Sequence, residues 1–430
     1  MRNSLVLSLV MILTVPLLAG CGNDAEPLKP VVVHGHVLSN TGAPIAGAQV
    51  SALDVNDSPI TSTVTTNAAG EYDLDASPAR NQSIKLRVTA SGFESFPSGF
   101  RSSLPINISG AVHAGPILVF SSPLTDITLE PLANPVGLGS IAGTVQGAGA
   151  LVVAEGPVVR STISGTDGKY VVFNLPPGTY DVSAYAAGWQ FAPALANVVA
   201  DQRTSGIDLA GVGQAAGSVS GSVNIVNAPG GSATSVVLVV ASTFNDVTLR
   251  GDVPPGLRAP RTGPPSVNGS FTIGGVPDGT YKVLAAFEND DLVRDPDTNI
   301  GGTQIVEVTV TGNATVLPES FKITEALAVV SPGEGDEPTG VVGTPTLIWA
   351  DDSSEDYYSV EVFDSFGNIV WSDPNVPGVS GSSTVSVIYG GPALESGKTY
   401  QFRAMSWRDS VGTARPISNT EDLRGVMIAL

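Results

Sequence analysis

The chain is 430 residues long, carries a formal net charge of −20 and contains a single cysteine. This acidity argues against nucleic acid as a partner and against direct attraction to anionic lipid, and one cysteine excludes an internal disulfide. An apolar content of 42%, with 49 Gly and 32 Pro, is sufficient for several hydrophobic cores and excludes a globally disordered chain.

Residues 1–20 have the pattern of a secretory signal peptide. Arg2 supplies a positive charge, and residues 5–18 form an apolar run that is too short for a comfortable membrane span. Small residues then precede Cys21, the only cysteine of the chain. Residues 21–30 read as a short tether between this leader and the first strand.

Leu18-Ala19-Gly20-Cys21 resembles the lipobox of bacterial lipoproteins. The resemblance implies that Cys21 becomes the new N-terminus and carries fatty acyl chains such as palmitate, which attach the protein to a membrane. Gly22 rather than aspartate follows, and by analogy with enterobacterial sorting this favours the outer membrane, on either its periplasmic or its surface face. The alternative is an ordinary secreted protein with a chance cysteine.

A short strand–turn–strand phrase recurs along the chain, and this repetition predicts a row of small β modules. The phrase combines Gly-x-aromatic with a following Pro-x-Gly-Thr-Tyr. The copies are Gly168-Lys169-Tyr170 with Pro176–Tyr180, and Gly269-Ser270-Phe271 with Pro277–Tyr281, echoed by Gly70-Glu71-Tyr72. After Tyr72, Ile84, Leu86 and Val88 alternate with polar residues, as in a half-buried strand.

The predicted fold class is therefore all-β, with tandem β-sandwich modules. The predicted segments after the tether are sandwiches at 31–130, 138–211 and 217–324, and a fourth, different sandwich at 326–430. The third sandwich carries an insert at 245–266. Compact modules joined by short linkers predict a semi-rigid rod.

The first three segments resemble the carboxypeptidase regulatory-like domain family, which is a transthyretin-like β-sandwich. The first segment keeps three of the family's phrases, Gly35-His36-Val37, Pro44–Val50 and Thr66–Tyr72, whereas the second and third keep the hairpin and the Pro-x-Gly-x-Tyr strand. The resemblance implies the fold. It does not imply carboxypeptidase activity, because fold does not confer function and no catalytic segment is visible.

The fourth segment resembles a fibronectin type III domain. Leu394, Gly397 and Tyr400 precede an alternating strand in the order that this family uses. The resemblance implies that the hydroxyl of Tyr400 ties its strand to a neighbouring loop.

An acidic stretch in the third segment is a candidate calcium site. The spacing of two residues between Asp295, Asp297 and Asn299 resembles a calcium loop, in which alternate oxygens converge on one cation. The loop lacks the glycine and the final glutamate of an EF-hand, so the alternative is a solvated acidic loop. The candidate ligands are Asp290, Asp291, Asp295, Asp297 and Asn299. No other cofactor is predicted.

His34 and His36 lie two residues apart, so on a strand both point to the same face. Such a pair can begin a zinc site, but further ligands are not evident, and two surface histidines on an edge strand are the alternative.

Aromatic residues raise the question of sugar binding. Phe93 and Trp189 occupy the same position of two repeats, so a recurrent packing residue is the simpler interpretation. Trp349, Trp371 and Trp407 are expected in the core of the fourth sandwich.

The sequence shows no nucleophile elbow, phosphate loop or zinc-protease helix, and its three histidines leave little for general-base chemistry. The prediction is a non-catalytic, lipid-anchored envelope protein whose modules serve a structural or binding role. The partners are the membrane and a protein or glycan ligand, not nucleic acid. The alternatives are a carbohydrate-binding adhesin and an accessory subunit of an envelope hydrolase.

Overall fold

The structure is a computed structural model. It describes residues 28–98, 101–147, 149–226, 233–246, 250–263, 266–288, 305–324, 326–335, 337–352, 354–410, 412–421 and 424–430. Strands dominate these ranges, and the helices in them are short 3-10 turns at Ser77–Ala79, Ile108–Gly110, Pro123–Thr125 and Ala241–Thr243. None of the described helices is long and apolar enough to cross a membrane. The prediction of an all-β fold with tandem β-sandwich modules is confirmed.

The first module contains a buried core between two sheets. Its described strands are β1 (Val31–Ser39), β2 (Gln49–Leu53), β3 (Val64–Thr65), β4 (Glu71–Asp75), β5 (Ser83–Thr89), β6 (Ile106–Asn107), β7 (Val112–Ala114), β8 (Ile117–Phe120) and β9 (Ile127–Leu129). One sheet has the order β4-β1-β8-β7 with β9 beside β1, and the other has the order β3-β2-β5-β6. Burial alternates along β1, so Val33 and Val37 face the core while the histidines between them face outward.

The second module repeats this plan in fewer residues. Its described strands are β10 (Gly139–Thr144), β11 (Leu151–Glu155), β12 (Val159–Ile163), β13 (Lys169–Leu175), β14 (Gly178–Tyr185), β15 (Gln190–Phe191), β16 (Ala194–Val198), β17 (Arg203–Ser205) and β18 (Gly211–Gly213). The sheets are β13-β10-β17 and β12-β11-β14-β16, with the short pair β15-β18 at the side.

The third module has the same two sheets, β22-β19-β25 with β26 beside β19, and β21-β20-β23-β24. Its described strands are β19 (Gly217–Val226), β20 (Ala233–Val240), β21 (Arg258–Ala259), β22 (Gly269–Val276), β23 (Gly279–Glu288), β24 (Val306–Val310), β25 (Ala314–Val316) and β26 (Phe321–Thr324).

The fourth module differs in strand order. Its described strands are β27 (Val329–Ser331), β28 (Thr339–Val341), β29 (Thr346–Ala350), β30 (Tyr357–Phe363), β31 (Ile369–Pro377), β32 (Thr384–Ile388), β33 (Thr399–Ser410), β34 (Thr413–Asn419) and β35 (Val426–Ala429). A sheet β27-β29-β32 faces a six-stranded sheet β28-β35-β33-β30-β31, with β34 beside β33. Trp349, Tyr358 and Phe402 are fully buried between them.

The first three modules share one pairing rule for their opening strands. Strand β1 pairs antiparallel with β4 and parallel with β8 and β9, and β10 does the same with β13 and β17. Strand β19 follows with β22, β25 and β26. The repeated phrases therefore encode a repeated topology.

The Gly-x-Val and Gly-x-Tyr phrases meet at one buried hydrogen bond. The hydroxyl of Tyr72 on β4 donates to the carbonyl oxygen of Thr125, 2.7 Å away. Gly35 on β1 lies beside this carbonyl, and a Cβ there would overlap it. Burial, reinforced by the charge of Asp126, raises the pKa of Tyr72 above its usual value, so the hydroxyl stays a donor.

The second module repeats this arrangement. The hydroxyl of Tyr170 donates to the carbonyl oxygen of Ile207 at 2.5 Å, and a Cβ at Gly143 would overlap that oxygen. In the third module Phe271 replaces the tyrosine, and its ring packs against Gly221. In the first two modules glycine is therefore needed on the opening strand to admit the closing segment.

The modules are not joined by linkers alone, so the expectation of a rod is wrong. Leu53 of the first module and Leu151, Val153 and Ile163 of the second are buried in the same apolar cluster as the core of the third. These side chains lie on sheet faces that an isolated sandwich would expose, and burying them stabilises the assembly. The predicted segment boundaries themselves stay predictions.

Candidate functional site

The loop after β5 docks onto the second module through one side chain. Asn174, which is almost fully buried, accepts a hydrogen bond from the Gly92 amide at 2.7 Å through its side-chain oxygen. Its amide nitrogen donates to the carbonyl oxygens of Ala90 (3.0 Å) and Phe93 (2.8 Å). Asn174 adopts φ 64°, a conformation that asparagine tolerates better than most residues.

A corresponding contact lies between the second and third modules, and we call each of these two contacts a joint. The Gly188 amide donates to the carbonyl oxygen of Gly275 at 2.7 Å, and Gly275 has φ 70°. Asn174 and Gly275 occupy the same position, two residues before the proline of the Pro-x-Gly-Thr-Tyr phrase. A Cβ at Gly275 would come within 2.8 Å of the Gly188 nitrogen, so this copy of the joint needs glycine.

Trp189 lies next to this second joint and is 40% exposed. Its ring stacks on Phe191, with the centroids 6.0 Å apart and the planes 17° from parallel, and it packs over Gly147 and Gly211. Phe93 is part of the first joint. The structure therefore places the recurrent aromatic position at module junctions.

Asp252, in the insert of the third module, connects three modules. Its carboxylate accepts hydrogen bonds from Arg87 of the first module, at 3.2 Å, and from Ser161 of the second. Its own amide donates to Thr243 at 2.9 Å. The side chains of Arg87 and Asp252 are only 12% and 25% exposed, so the pair is partly shielded from water. The insert therefore connects the three modules through the hydrogen bonds of Asp252, and we call this contact the bracket.

A cleft of about 340 Å³ lies between the first and fourth modules. Arg101 crosses it, with its guanidinium carbon 4.3 Å from the ring centroid of Phe96 and 6.0 Å from that of Phe366, and it donates to the carbonyl of Thr128. Burial lowers the pKa of Arg101 to about 10, opposed by the nearby Asp364, and the group stays charged at neutral pH. The guanidinium is thus already used in holding the two modules together.

A second cleft, of about 470 Å³, separates the first two modules. Its carboxylates have structural partners. Asp208 accepts from the backbone amide and the hydroxyl of Thr144, both at 2.8 Å, and Asp167 pairs with Lys169 at 2.9 Å. Both carboxylates therefore make local structural contacts within the second module.

The two histidines lie on β1, which is an interior strand between β4 and β8, so the alternative of an edge strand is wrong. Each Nδ1 atom is 2.9 Å from a carboxylate oxygen, of Asp73 for His34 and of Asp126 for His36. Among the described residues, no three His, Cys, Asp or Glu side chains are grouped to hold a metal ion.

The fourth module separates its tryptophans. Trp349 is buried against Tyr358, and Trp371 is half-buried against Tyr389. Trp407 is not in the core, contrary to the sequence-based expectation. It lies on the outer face of the six-stranded sheet beside Tyr357, because Phe402 and Ala404 on the same strand take the inward positions. Alternation along β33 could have identified this position.

Two groups of predicted site residues lie outside the described residues. The first is Cys21, and the second is the candidate calcium ligands Asp290, Asp291, Asp295, Asp297 and Asn299. Lipidation and calcium binding therefore stay predictions.

Solved structures that match parts of this chain include pilins and dioxygenases. BcpA, the major pilin subunit of Bacillus cereus, is 10% identical, with coverage of 69% of this chain and 99% of the pilin and a TM-score of 0.19. A streptococcal ancillary pilin is 13% identical, with coverage of 68% and 99% and a TM-score of 0.18.

Chlorocatechol 1,2-dioxygenase from Pseudomonas putida is 15% identical over 24% of this chain, with a TM-score of 0.16. The chain spans about 60% of the length of that enzyme. Similarity at these levels carries no conclusion about activity. No curated protein sequence matches the chain.

A family model matches within the first module. The description of that model is carboxypeptidase regulatory-like domain, and the matched residues are 32–104. This range contains the Gly35 and Tyr72 positions whose contacts are described above. Residues 32–104 of the first module are therefore similar to the carboxypeptidase regulatory-like domain family.

Proposed function

We propose that this chain is a non-catalytic, lipid-anchored protein of the bacterial cell envelope that presents packed β-sandwich modules as a binding surface. The observation that supports lipid anchoring is the position of the only cysteine, Cys21, directly after the apolar leader. Several acyl chains on one residue are sufficient for stable membrane attachment. The tether at 21–30 leads directly to β1, which begins at Val31.

The contacts of the modules support a structural and binding role. The carboxylates of the cleft between the first two modules and the half-buried Arg101 make contacts within or between modules. The joints and the bracket hold the first three modules together. A rigid assembly of this kind keeps its outer faces in fixed relative positions, which lowers the entropy cost of binding a ligand.

The fourth module serves as a fibronectin type III-like binding unit in this proposal. The Tyr400 hydroxyl accepts a hydrogen bond from the Glu395 amide at 3.0 Å, which ties β33 to the loop before it. This contact is the one that the family resemblance implies for a corner tyrosine.

Expression of the full chain with its leader in a Gram-negative host tests the anchor. We expect the protein to incorporate labelled palmitate and to fractionate with the outer membrane. Cys21→Ala removes the only acylation site, so we expect complete loss of label and release of the protein from the membrane fraction. Labelling and fractionation are measured on the same samples.

Gly22→Asp is the matched control, because it keeps Cys21 and changes only the residue proposed to direct sorting. We expect this variant to stay labelled and to move to the inner membrane. A wild-type protein that carries no label, or that salt washing removes from membranes, contradicts the proposal.

A further inference from the structure

Four residues from four neighbouring strands line up across the outer face of the fourth module. Tyr357 on β30 lies directly opposite Pro377 on β31 and Trp407 on β33, and Trp407 lies opposite Pro416 on β34. Residues paired in this way share one face of the sheet. Because Tyr358 is fully buried in the core, the face that carries Tyr357 is the outer one. We call these four residues the aromatic row.

The two rings of the row are parallel and held in place. Their planes are 4° apart and their centroids are separated by 6.1 Å. Nε1 of Trp407 donates to the hydroxyl of Ser359 at 2.9 Å, which fixes the orientation of the indole. Both rings are half-buried and Pro377 is exposed, so the row is accessible on the described surface. Fixed aromatic rings bind with little loss of side-chain entropy.

Two charged residues near the row, Asp356 and Arg408, have protein partners. The Asp356 carboxylate accepts from the Asp409 amide at 2.7 Å, and Arg408 donates to the carbonyl of Ser354 at 2.8 Å. The whole chain has a net charge of −20, which repels polyanions. Charge therefore favours a neutral ligand.

The shape of the row favours a linear ligand. Four strands spaced by about 4.8 Å make a strip about 14 Å long and one residue wide. A stable protein interface buries about 800 Å² on each partner, far more than such a strip supplies. Proline-rich peptides dock into aromatic grooves, whereas this row lies on a sheet face. A sugar ring has an apolar C–H face that fits a flat aromatic surface and hydroxyls that bond to neighbouring polar groups.

We propose that the aromatic row of the fourth module binds a linear, neutral polysaccharide. The inference deepens the binding role proposed above and is independent of the lipid anchor. Stacking on Tyr357 and Trp407 supplies the affinity, and the flanking prolines extend the contact along the sugar chain.

Affinity electrophoresis of the detergent-solubilised full chain tests this proposal. The gels contain hydroxyethyl cellulose, glucomannan or dextran as neutral polymers, and alginate as the anionic one. We expect at least one neutral polymer to retard the wild type and alginate to have no effect. Trp407→Ala and Tyr357→Ala should each weaken retardation about tenfold, whereas the matched control Trp189→Ala, an exposed tryptophan outside the row, should behave as the wild type.

Circular dichroism and thermal unfolding show whether each variant is folded. If Trp407→Ala is unfolded, Pro377→Ala replaces it as the test variant, because Pro377 is an exposed residue at the end of the row. We again expect weaker retardation than for the wild type. The proposal is overturned if no neutral polymer retards the wild type, or if folded row variants bind as the wild type does. Row-dependent binding of a polyproline peptide without sugar binding also overturns it. Membrane release of Cys21→Ala is scored separately, so failure of the anchor and failure of the row are distinguishable.

Discussion

Gly143→Ala should unfold the second module. Its Cβ would overlap the carbonyl oxygen of Ile207, and that oxygen accepts the hydroxyl of Tyr170. The Cβ would be fixed to the backbone of β10, and the oxygen belongs to the backbone of the closing segment. The overlap can therefore be removed only if β10 moves away from the closing segment. We expect the free energy of unfolding of this module to fall by more than about 4 kcal/mol. Pulse proteolysis with mass-spectrometric mapping of the cut sites measures the effect module by module.

Gly274→Ala is the matched control for this variant. Gly274 also lies in a strand, but a Cβ there would meet no atom within 4 Å and its φ is not positive. We expect the free energy of unfolding to change by less than about 1 kcal/mol. Equal resistance of Gly143→Ala and Gly274→Ala to protease contradicts the role assigned to the opening-strand glycine.

Asn174→Ala should loosen the contact between the first module and the second. The change removes three hydrogen bonds to the loop at Ala90–Phe93 and places alanine at φ 64°. The Gly92 amide and the Phe93 carbonyl lose the partner that Asn174 supplies, and alanine at a positive φ adds strain, so we expect a loss of about 3 kcal/mol in total. Small-angle scattering of the folded protein should show a larger radius of gyration, and calorimetry should show an earlier transition for the first module.

Asn174→Gly distinguishes the loss of the hydrogen bonds from the backbone strain. Glycine adopts the positive φ without cost and is the residue that the third module uses at this position, Gly275. We therefore expect a smaller loss than for alanine, with the difference reporting backbone strain alone. If alanine and glycine leave scattering and calorimetry unchanged, the joint does not hold the modules together.

The interior of each module was predictable because its signals are local. Alternation along β1 and β5 identifies which side chains face the core, and the glycine and tyrosine phrases fix where the opening strand meets the hairpin. Tyr72 and Gly35 are separated in sequence, but both phrases recur, so repetition reveals them as one structural unit.

The contacts between modules were not predictable in the same way. Asn174 reads as an ordinary polar residue in a strand, and only the folded chain shows that its side chain reaches the preceding module. The bracket at Asp252 depends on the path of an insert that has no counterpart in the other repeats. Such contacts depend on how whole sheets lie relative to one another. No periodic pattern in the sequence predicts that arrangement. Trp407 was predictable from strand alternation, yet tryptophan is so often a core residue that composition favoured the wrong face.

The parallel pairing of opening and closing strands has a mechanical consequence. Strand β1 pairs with β8, β10 with β17 and β19 with β25, so the two ends of each of the first three modules lie side by side and point the same way. Tension applied to the ends of the chain pulls these neighbours in opposite directions along their axes. The hydrogen bonds between them are then sheared together instead of being opened one after another. A chain with this geometry resists extension at the place where each of these three modules begins and ends.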